Sequence, residues 1–145
     1  MNADCAIPET ADAVRLFLFT VLPSVFPFCV ISEWLVRTEA FARPGKKLSF
    51  LMRPLFGVSG KGILALLTGL IGSYPTGART VASLYQNKQI SREDAVALSA
   101  FTNNAGPLFI IGFVGAGLLG SAYCGILLWL CHVAAALLTG MLLKP

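Results

Sequence analysis

Apolar residues follow one another in long runs along this chain, and the length of each run indicates the element that it forms. The first run covers residues 14–36, close to the roughly 20 residues with which an α-helix crosses the hydrocarbon core of a bilayer. Pro23 and Pro27 lie within this run, so we expect the helix to be kinked or broken there. The run at 108–143 is long enough for two crossings, which we expect to turn near Gly120 and Ser121.

Shorter helices are predicted between these two runs. Leucine and methionine recur at helical spacing over residues 48–55, which predicts an amphipathic helix in the membrane interface. This helix is expected to follow a turn at Pro44–Gly45 and to be interrupted at Pro54. The apolar run 63–75 would rise only about 20 Å as a helix, which is too short for a core of about 30 Å.

Polar residues predict the starts of two further helices. Thr76 is expected to cap a helix over residues 76–90. Ser91 and Asp94 have the spacing of a capping box for a helix over residues 92–101, whose positive N-terminal end Asp94 would also complement.

Two clusters of small, amide and proline residues interrupt the apolar sequence. The first string, GSYPTGAR, covers Gly72–Arg79, and the second, FTNNAGP, covers Phe101–Pro107. A helix broken in this way leaves backbone polar groups unpaired, which is tolerated at membrane depth only inside protein or beside a polar cavity. Two such breaks are typical of the midplane solute site of a secondary transporter. The alternative is that both are tight turns at contacts between helices.

We predict a site for a small polar solute at these two breaks. The side chains expected to contact the solute carry hydroxyl or amide groups: Ser73, Tyr74, Thr76, Thr102, Asn103 and Asn104. The residues expected to break the helices are Gly72, Pro75, Gly77, Gly106 and Pro107. Glu33, near the end of the first span, could bind a cation or a polar group, and the alternative is an ion pair with Arg37 one turn further on.

Composition places the chain among membrane proteins. Hydrophobic residues make up 56% of its 145 positions, charged residues 12%, and the mean hydropathy is +0.75. We therefore predict an all-α, polytopic membrane fold with kinked and discontinuous helices. Residues 1–13 are expected to form an N-terminal tail and residues 14–145 a single transmembrane domain.

Basic residues concentrate in the connecting region 37–61, whereas the first residues of the chain are mainly acidic. By the positive-inside rule, residues 37–61 are expected to be cytoplasmic and the N-terminus to lie outside. Because the basic residues are scattered around apolar segments, membrane lipid is the expected partner and nucleic acid is not.

Enzyme chemistry is not expected, and neither is a cofactor or a metal. The apolar region carries no paired carboxylates, no Ser/His/Asp spacing and no metal-ligand cluster, and residues 57–62 lack the pattern of a phosphate loop. His132, the one histidine of the chain, could relay protons or hydrogen-bond to a neighbouring helix. No CxxC spacing occurs, so packing thiols are expected at Cys5, Cys29, Cys124 and Cys131.

Four strings of the chain match a known family in the same order: FPFCVISEWLV, LMRPLFGVSGKG, GSYPTGAR and FTNNAGPLFIIG. They resemble the nucleoside recognition (Gate) domain membrane proteins, and most of all the sporulation integral membrane proteins of the YlbJ type. The most specific strings are Tyr74–Ala78 and Thr102–Phe109. The resemblance implies a solute-recognition or transport core assembled from broken helices. Gly72–Ser73 stands where the family usually has Ser-Gly, and Ala105 stands where it often has Ser, so the identity of the ligand does not carry over.

The resemblance also implies a counterpart to this chain. Family members usually carry a second homologous Gate half, whereas this chain supplies one Gate-like half. Unopposed breaks would leave backbone groups unsatisfied in the membrane, so we expect a homodimer or a complex with a separately encoded second half. The interface is expected at the small residues Gly112, Ala116 and Gly120, whose spacing of four lets helix backbones approach closely.

Two functions therefore fit the sequence and the resemblance. The first is an integral protein of the bacterial inner membrane that recognises or transports a small polar solute in connection with sporulation. The alternative is a non-transporting structural or assembly protein of the sporulation membrane that docks a partner membrane protein.

Overall fold

The computed structural model describes residues 3–38, 42–72 and 74–144, and all the regular structure within these ranges is helical. The α-helices are α1 Ala3–Leu16, α2 Leu22–Arg37, α3 Ala42–Phe56, α4 Ile63–Gly72, α5 Thr76–Gln86, α6 Arg92–Phe101 and α7 Ala122–Leu142. Segments of π-helix, with wider turns, occupy Phe17–Val21 and Leu108–Leu118, and a single 3₁₀ turn occupies Gly60–Gly62. The predicted all-α fold with discontinuous helices is confirmed.

The first span is helical without interruption from α1 through the π-helical turn Phe17–Val21 into α2. Proline has no N–H to donate, so Pro23 cannot bond to the carbonyl four residues earlier, and the wide turn lies on the N-terminal side of this residue. Pro27 is accommodated inside α2. The residues assigned to an N-terminal tail are helical from Ala3 and continuous with this span, and the domain boundary stays a prediction.

Helix α3 differs from its sequence prediction at both ends. The predicted turn at Pro44–Gly45 is wrong, because α3 begins at Ala42 and the first turn of a helix needs no N–H from its residues. The predicted interruption at Pro54 is also wrong, since α3 continues to Phe56. The helix ends where Gly57, with φ of 71°, donates its N–H to the Arg53 carbonyl at 2.9 Å.

The cap predicted for α5 does not form, whereas the cap predicted for α6 does. The Thr76 side chain does not cap α5, because Pro75 precedes the helix and the Thr76 hydroxyl donates to the Gly72 carbonyl at 3.0 Å. The capping prediction for α6 is confirmed, since the Ser91 hydroxyl accepts from the Asp94 N–H at 3.0 Å. Hydrogen bonds from the Glu93 backbone and from the Ser91 side chain lower the pKa of the Glu93 carboxyl in the same turn.

The core lies where α3, α4, α5 and α6 meet the end of α2. Its buried apolar side chains are Val36, Met52, Phe56, Val58, Ile63, Leu64, Ala65, Leu66, Val81, Leu84, Ile90, Ala97, Leu98 and Phe101. Stacking of Phe56 on Phe101, with ring centroids 5.0 Å apart, joins α3 to α6. This core holds α4 and α5 in place on either side of the first break.

A hairpin of the π-helix Leu108–Leu118 and α7 packs on this core. The turn lies at the predicted place, where Gly120 adopts a φ of 64° that favours glycine. Within the described ranges, α7 is the one helix long and apolar enough to cross a membrane alone. Lys46–Phe56 and Gly60–Gly72 together would make a second span, but they are bent by 91°.

Candidate functional site at the two helix breaks

The two breaks are in direct contact. The carbonyl oxygen of Thr102, at the start of the second break, lies against the Cα atoms of Gly69 and Gly77, which flank the first break. A Cβ atom on either glycine would overlap that oxygen. Contacts of Cα–H groups with a carbonyl oxygen are weakly favourable, and they recur where helices pack closely. Glycine at both positions therefore allows the second break to lie across the helices of the first.

Hydroxyl groups satisfy the polar backbone around the first break. Thr80 donates to the Thr76 carbonyl at 2.8 Å, one turn beyond the bond from Thr76 to Gly72. Thr68 of α4 donates to the Thr80 hydroxyl at 3.0 Å and so links α4 to α5. The Cys29 sulfur of α2 lies 4.0 Å from the Thr76 hydroxyl. These bonds are what a broken helix needs at membrane depth, because no bulk water is available there.

The six predicted contact residues fall into different environments. Thr76, Thr102 and Asn104 are buried. The Thr102 hydroxyl donates to the Leu98 carbonyl, and the Asn104 amide to the Phe101 carbonyl, at 2.8 Å in each case. Tyr74 is 54% exposed, and Ser73 lies outside the described residues. The role of this set in binding a solute stays a prediction.

The predicted helix-breaking residues lie at the ends of the elements. Gly72 ends α4, Pro75 follows a cis peptide bond and precedes α5, and Gly77 lies in the first turn of α5. Gly106 and Pro107 separate α6 from the π-helix Leu108–Leu118.

Four buried side-chain atoms have no hydrogen-bond partner among the described residues: Ser59 Oγ, Asn103 Oδ1, Trp129 Nε1 and His132 Nε2. A buried polar group in this state costs about 1–3 kcal/mol. The expectation that His132 bonds to a neighbouring helix is therefore wrong for its Nε2 atom. Sequence reasoning did not select Trp129 or His132 as site residues, although their spacing of three in an apolar run was the available signal.

One face of α7 carries Trp129 and His132 between two close contacts of the helix. Gly125, Trp129, His132, Ala136 and Gly140 follow at helical spacing, and the three small residues are buried. At one end of this face, a Cβ on Gly125 would lie 2.8 Å from the Cα of Ile111. At the other end, a Cβ on Gly140 would lie 2.8 Å from the ring of Phe101. Trp129 and His132 lie between these two contacts on the same face of α7.

Other candidate groups have ordinary roles in the described structure. Glu33 forms an ion pair with Arg37 at 2.8 Å, which confirms the ion-pair alternative. Cys29, Cys124 and Cys131 are free thiols, and no three described His, Cys, Asp or Glu residues are placed to hold a metal ion.

Two surface hollows lie away from the predicted contact residues. One, of about 350 Å³, is lined by Arg92, Glu93, Val96, Ala97 and Leu143. The other, of about 480 Å³, is lined by Ile7, Thr10, Ala11 and Val14. Ligand sites need convergent polar groups. The candidate site is therefore placed at the two helix breaks, for their polar groups, and not at these hollows, for their size.

The similarity of this chain to known proteins covers both helix breaks and the hairpin. The family model described as Gate, nucleoside recognition, matches residues 18–143, which include both breaks and the hairpin. The chain belongs to the Gate family. It is 40% identical over 124 residues to the sporulation integral membrane protein YlbJ of Bacillus subtilis (strain 168).

That match covers 86% of this chain and 30% of the relative, so the chain spans about a third of the length of the curated protein that it matches. No solved structure gives a significant match. Family and relative together show that the chain is a membrane protein.

Proposed function

We propose that this protein recognises a small polar solute at the two helix breaks and takes part in its passage through the membrane. The proposal rests on the position of the Thr102 carbonyl oxygen, which lies against the Cα atoms of Gly69 and Gly77. This contact brings two segments of irregular backbone, distant in sequence, to one place inside a membrane protein. Paired broken helices of this kind bind solutes in secondary transporters.

The family description supplies the class of solute to test first. The matching model is described as nucleoside recognition, so nucleosides are the first candidates. The relative is a sporulation integral membrane protein, which suggests the inner membrane of a spore-forming bacterium as the location. We place residues 37–61 on the cytoplasmic side, in a multi-pass topology, because of their basic residues. We propose no enzymatic activity.

We further propose that the site is completed by a second copy of the chain or by a separately encoded second half. Gly112, Ala116 and Gly120 lie exposed on the hairpin; a Cβ on Gly120 would meet no atom within 4 Å, and one on Gly112 would only contact the Leu108 side chain at 3.8 Å. The close contact inside the hairpin uses Gly115 and Gly125 instead. The exposed small-residue face is therefore free for another helix.

Alanine substitutions at the second break test the solute proposal. Asn103→Ala and Asn104→Ala are each expected to reduce uptake of labelled nucleosides into proteoliposomes, while native mass spectrometry shows the same subunit composition as the wild type. Asn87→Ala is the matched control, since Asn87 is an exposed amide at the end of α5 that donates to the Ser83 carbonyl at 2.8 Å. Unchanged uptake in both variants would contradict the proposed contacts.

The alternative, a structural protein that docks a membrane partner, is favoured by the large apolar side chains exposed on the hairpin, such as Phe109, Phe113 and Leu130. The same variants separate the two functions. Loss of the membrane complex itself in Asn103→Ala or Asn104→Ala would support docking, and loss of uptake in an intact complex supports solute recognition.

A further inference from the structure

Three buried polar atoms without a hydrogen-bond partner lie on the second break and on one face of α7: Asn103 Oδ1, Trp129 Nε1 and His132 Nε2. We propose that these side chains line a subsite for an uncharged solute that presents an amide or imide edge, a carbonyl beside an N–H. This inference rests on the proposed function and assigns the α7 face as a wall of the site.

The placement of the three side chains follows from the contacts of α7. Gly125 touches the π-helix at Ile111 and Gly140 touches Phe101, so α7 runs antiparallel to the chain between those residues. Trp129 and His132 lie on the same face between the two contacts, and this part of α7 runs alongside the stretch of chain that contains Asn103.

The hydrogen-bonding character of these atoms defines the edge that would complement them. The indole Nε1–H of Trp129 can only donate, and the amide oxygen of Asn103 can only accept. Nε2 of His132 accepts in one tautomer and donates in the other. A solute that offers both a carbonyl and an N–H therefore satisfies the two fixed groups, and either of its functions can meet the histidine.

The absence of charge in this part of the sequence favours an uncharged solute. No aspartate, glutamate, lysine or arginine occurs between Asp94 and Lys144. An ion bound there would lose its hydration with no opposite charge in the segment to compensate. Phosphorylated and carboxylated compounds are therefore expected to bind poorly.

The unsatisfied state of these atoms stands out against the other polar groups at the breaks. The hydroxyls of Thr76, Thr80 and Thr102 and the amide of Asn104 all donate to backbone carbonyls at 2.8–3.0 Å. Buried polar groups in native proteins are normally paired in this way, and exceptions call for an explanation such as a ligand.

Each of the three atoms exposes less than 1 Å². The structure is therefore the closed form of the subsite, in which a solute can enter only if α7 and the break move apart. The polar groups gain partners only in the solute-bound form, so binding favours the open arrangement over the closed one.

Binding of matched pyrimidines to the full chain in lipid nanodiscs tests this inference. Uracil presents imide edges, 1,3-dimethyluracil keeps both carbonyls but has no N–H, and orotate adds a carboxylate to the same ring. Equilibrium dialysis is expected to show saturable binding of uracil and at least about tenfold weaker binding of the other two, about the loss of one good hydrogen bond.

Variants of the wall residues form the second arm. Trp129→Phe, His132→Phe and Asn103→Ala are each expected to weaken uracil binding by about tenfold. Trp34→Phe is the matched control for the indole, because Trp34 is 62% exposed on α2. In that control protein Trp129 is the one remaining tryptophan, and its fluorescence is expected to change on addition of uracil. This readout leaves the subsite intact, so it does not depend on the folding of the wall variants.

Three outcomes would overturn the inference: no binding of uracil, equal binding of uracil and 1,3-dimethyluracil, or no change in Trp129 fluorescence at saturating uracil. If nucleosides are nevertheless taken up in an Asn103- or Asn104-dependent manner, the proposed function stands and this subsite alone fails. If the wild type neither binds nor takes up any of these compounds, the proposed function fails as well.

Discussion

Gly69 and Gly77 show how single residues decide the geometry of this site. Each presents a bare Cα to the Thr102 carbonyl, so the backbones of three elements approach more closely than any side chain allows. Two glycines inside short helices lower intrinsic helix stability, since glycine is about 0.5–1 kcal/mol less favourable than alanine in a helix interior. The close contact with the second break explains why the chain carries them.

Gly77→Ala is expected to destabilise the protein by about 1–3 kcal/mol, because the added methyl group overlaps the Thr102 carbonyl and forces the break away from α5. Denaturant unfolding of the purified protein in detergent measures this change. Gly112→Ala is the matched control, since its nearest neighbour, the Leu108 side chain, is 3.8 Å from the new carbon. Equal stability of the two variants would contradict the role assigned to Gly77.

At the scale of elements, α4 and α5 form a pair of short helices joined by their threonines. Neither helix is long enough to cross a bilayer, so each depends on its neighbours for burial. The bond from Thr68 to Thr80 connects them in the interior, and the Gln89 amide donates to the Val36 carbonyl at 2.8 Å to connect the end of α2 to the loop after α5. The first break is therefore held by hydrogen bonds between elements as well as within them.

A double-mutant cycle with Thr68→Val and Thr80→Val is expected to give a coupling free energy of about 0.6 kcal/mol, the average for hydrogen bonds between membrane helices. Stability of the two single variants and the double variant supplies the cycle. A cycle of Thr68→Val with Ser99→Ala is the control, because the Ser99 hydroxyl donates within α6 to the Ala95 carbonyl. Zero coupling in the first cycle would show that the threonine contact contributes nothing to joining the helices.

At the scale of the whole molecule, the described structure has a buried core and a largely exposed apolar hairpin. The core lies among the ends of α2 and helices α3–α6, whereas the outward side of the hairpin exposes large apolar side chains. Such an exposed apolar surface has to be covered by lipid or by another membrane protein.

Ala116→Phe is expected to shift the proposed homodimer towards monomer without lowering monomer stability, because Ala116 is exposed on the small-residue face of the hairpin. Native mass spectrometry of the protein from lipid nanodiscs gives the distribution of oligomers. Ala134→Phe, at an exposed position of α7, is the matched control and is expected to leave the distribution unchanged. A dimer that survives Ala116→Phe would place the interface elsewhere.

Local patterns in the sequence were sufficient to predict most of the helices, the Ser91 cap, the hairpin turn at Gly120 and the two breaks. Each depends on residues close together in the chain, where periodicity, capping and glycine act directly. It failed at Pro44 and Pro54, because proline is tolerated in the first turn of a helix and the core contacts of α3 outweigh it in the last.

Contacts between residues far apart in the sequence were decided only by the tertiary structure. The sequence alone indicated Gly112, Ala116 and Gly120 as packing residues, but the hairpin closes through Gly115 and Gly125. It also gave no sign that the Thr102 carbonyl lies on Gly69 and Gly77, or that Trp129 and His132 carry buried nitrogens without a hydrogen-bond partner. Which face of a helix meets which neighbour depends on how all the helices pack together, and an apolar run has no polar face to reveal that orientation.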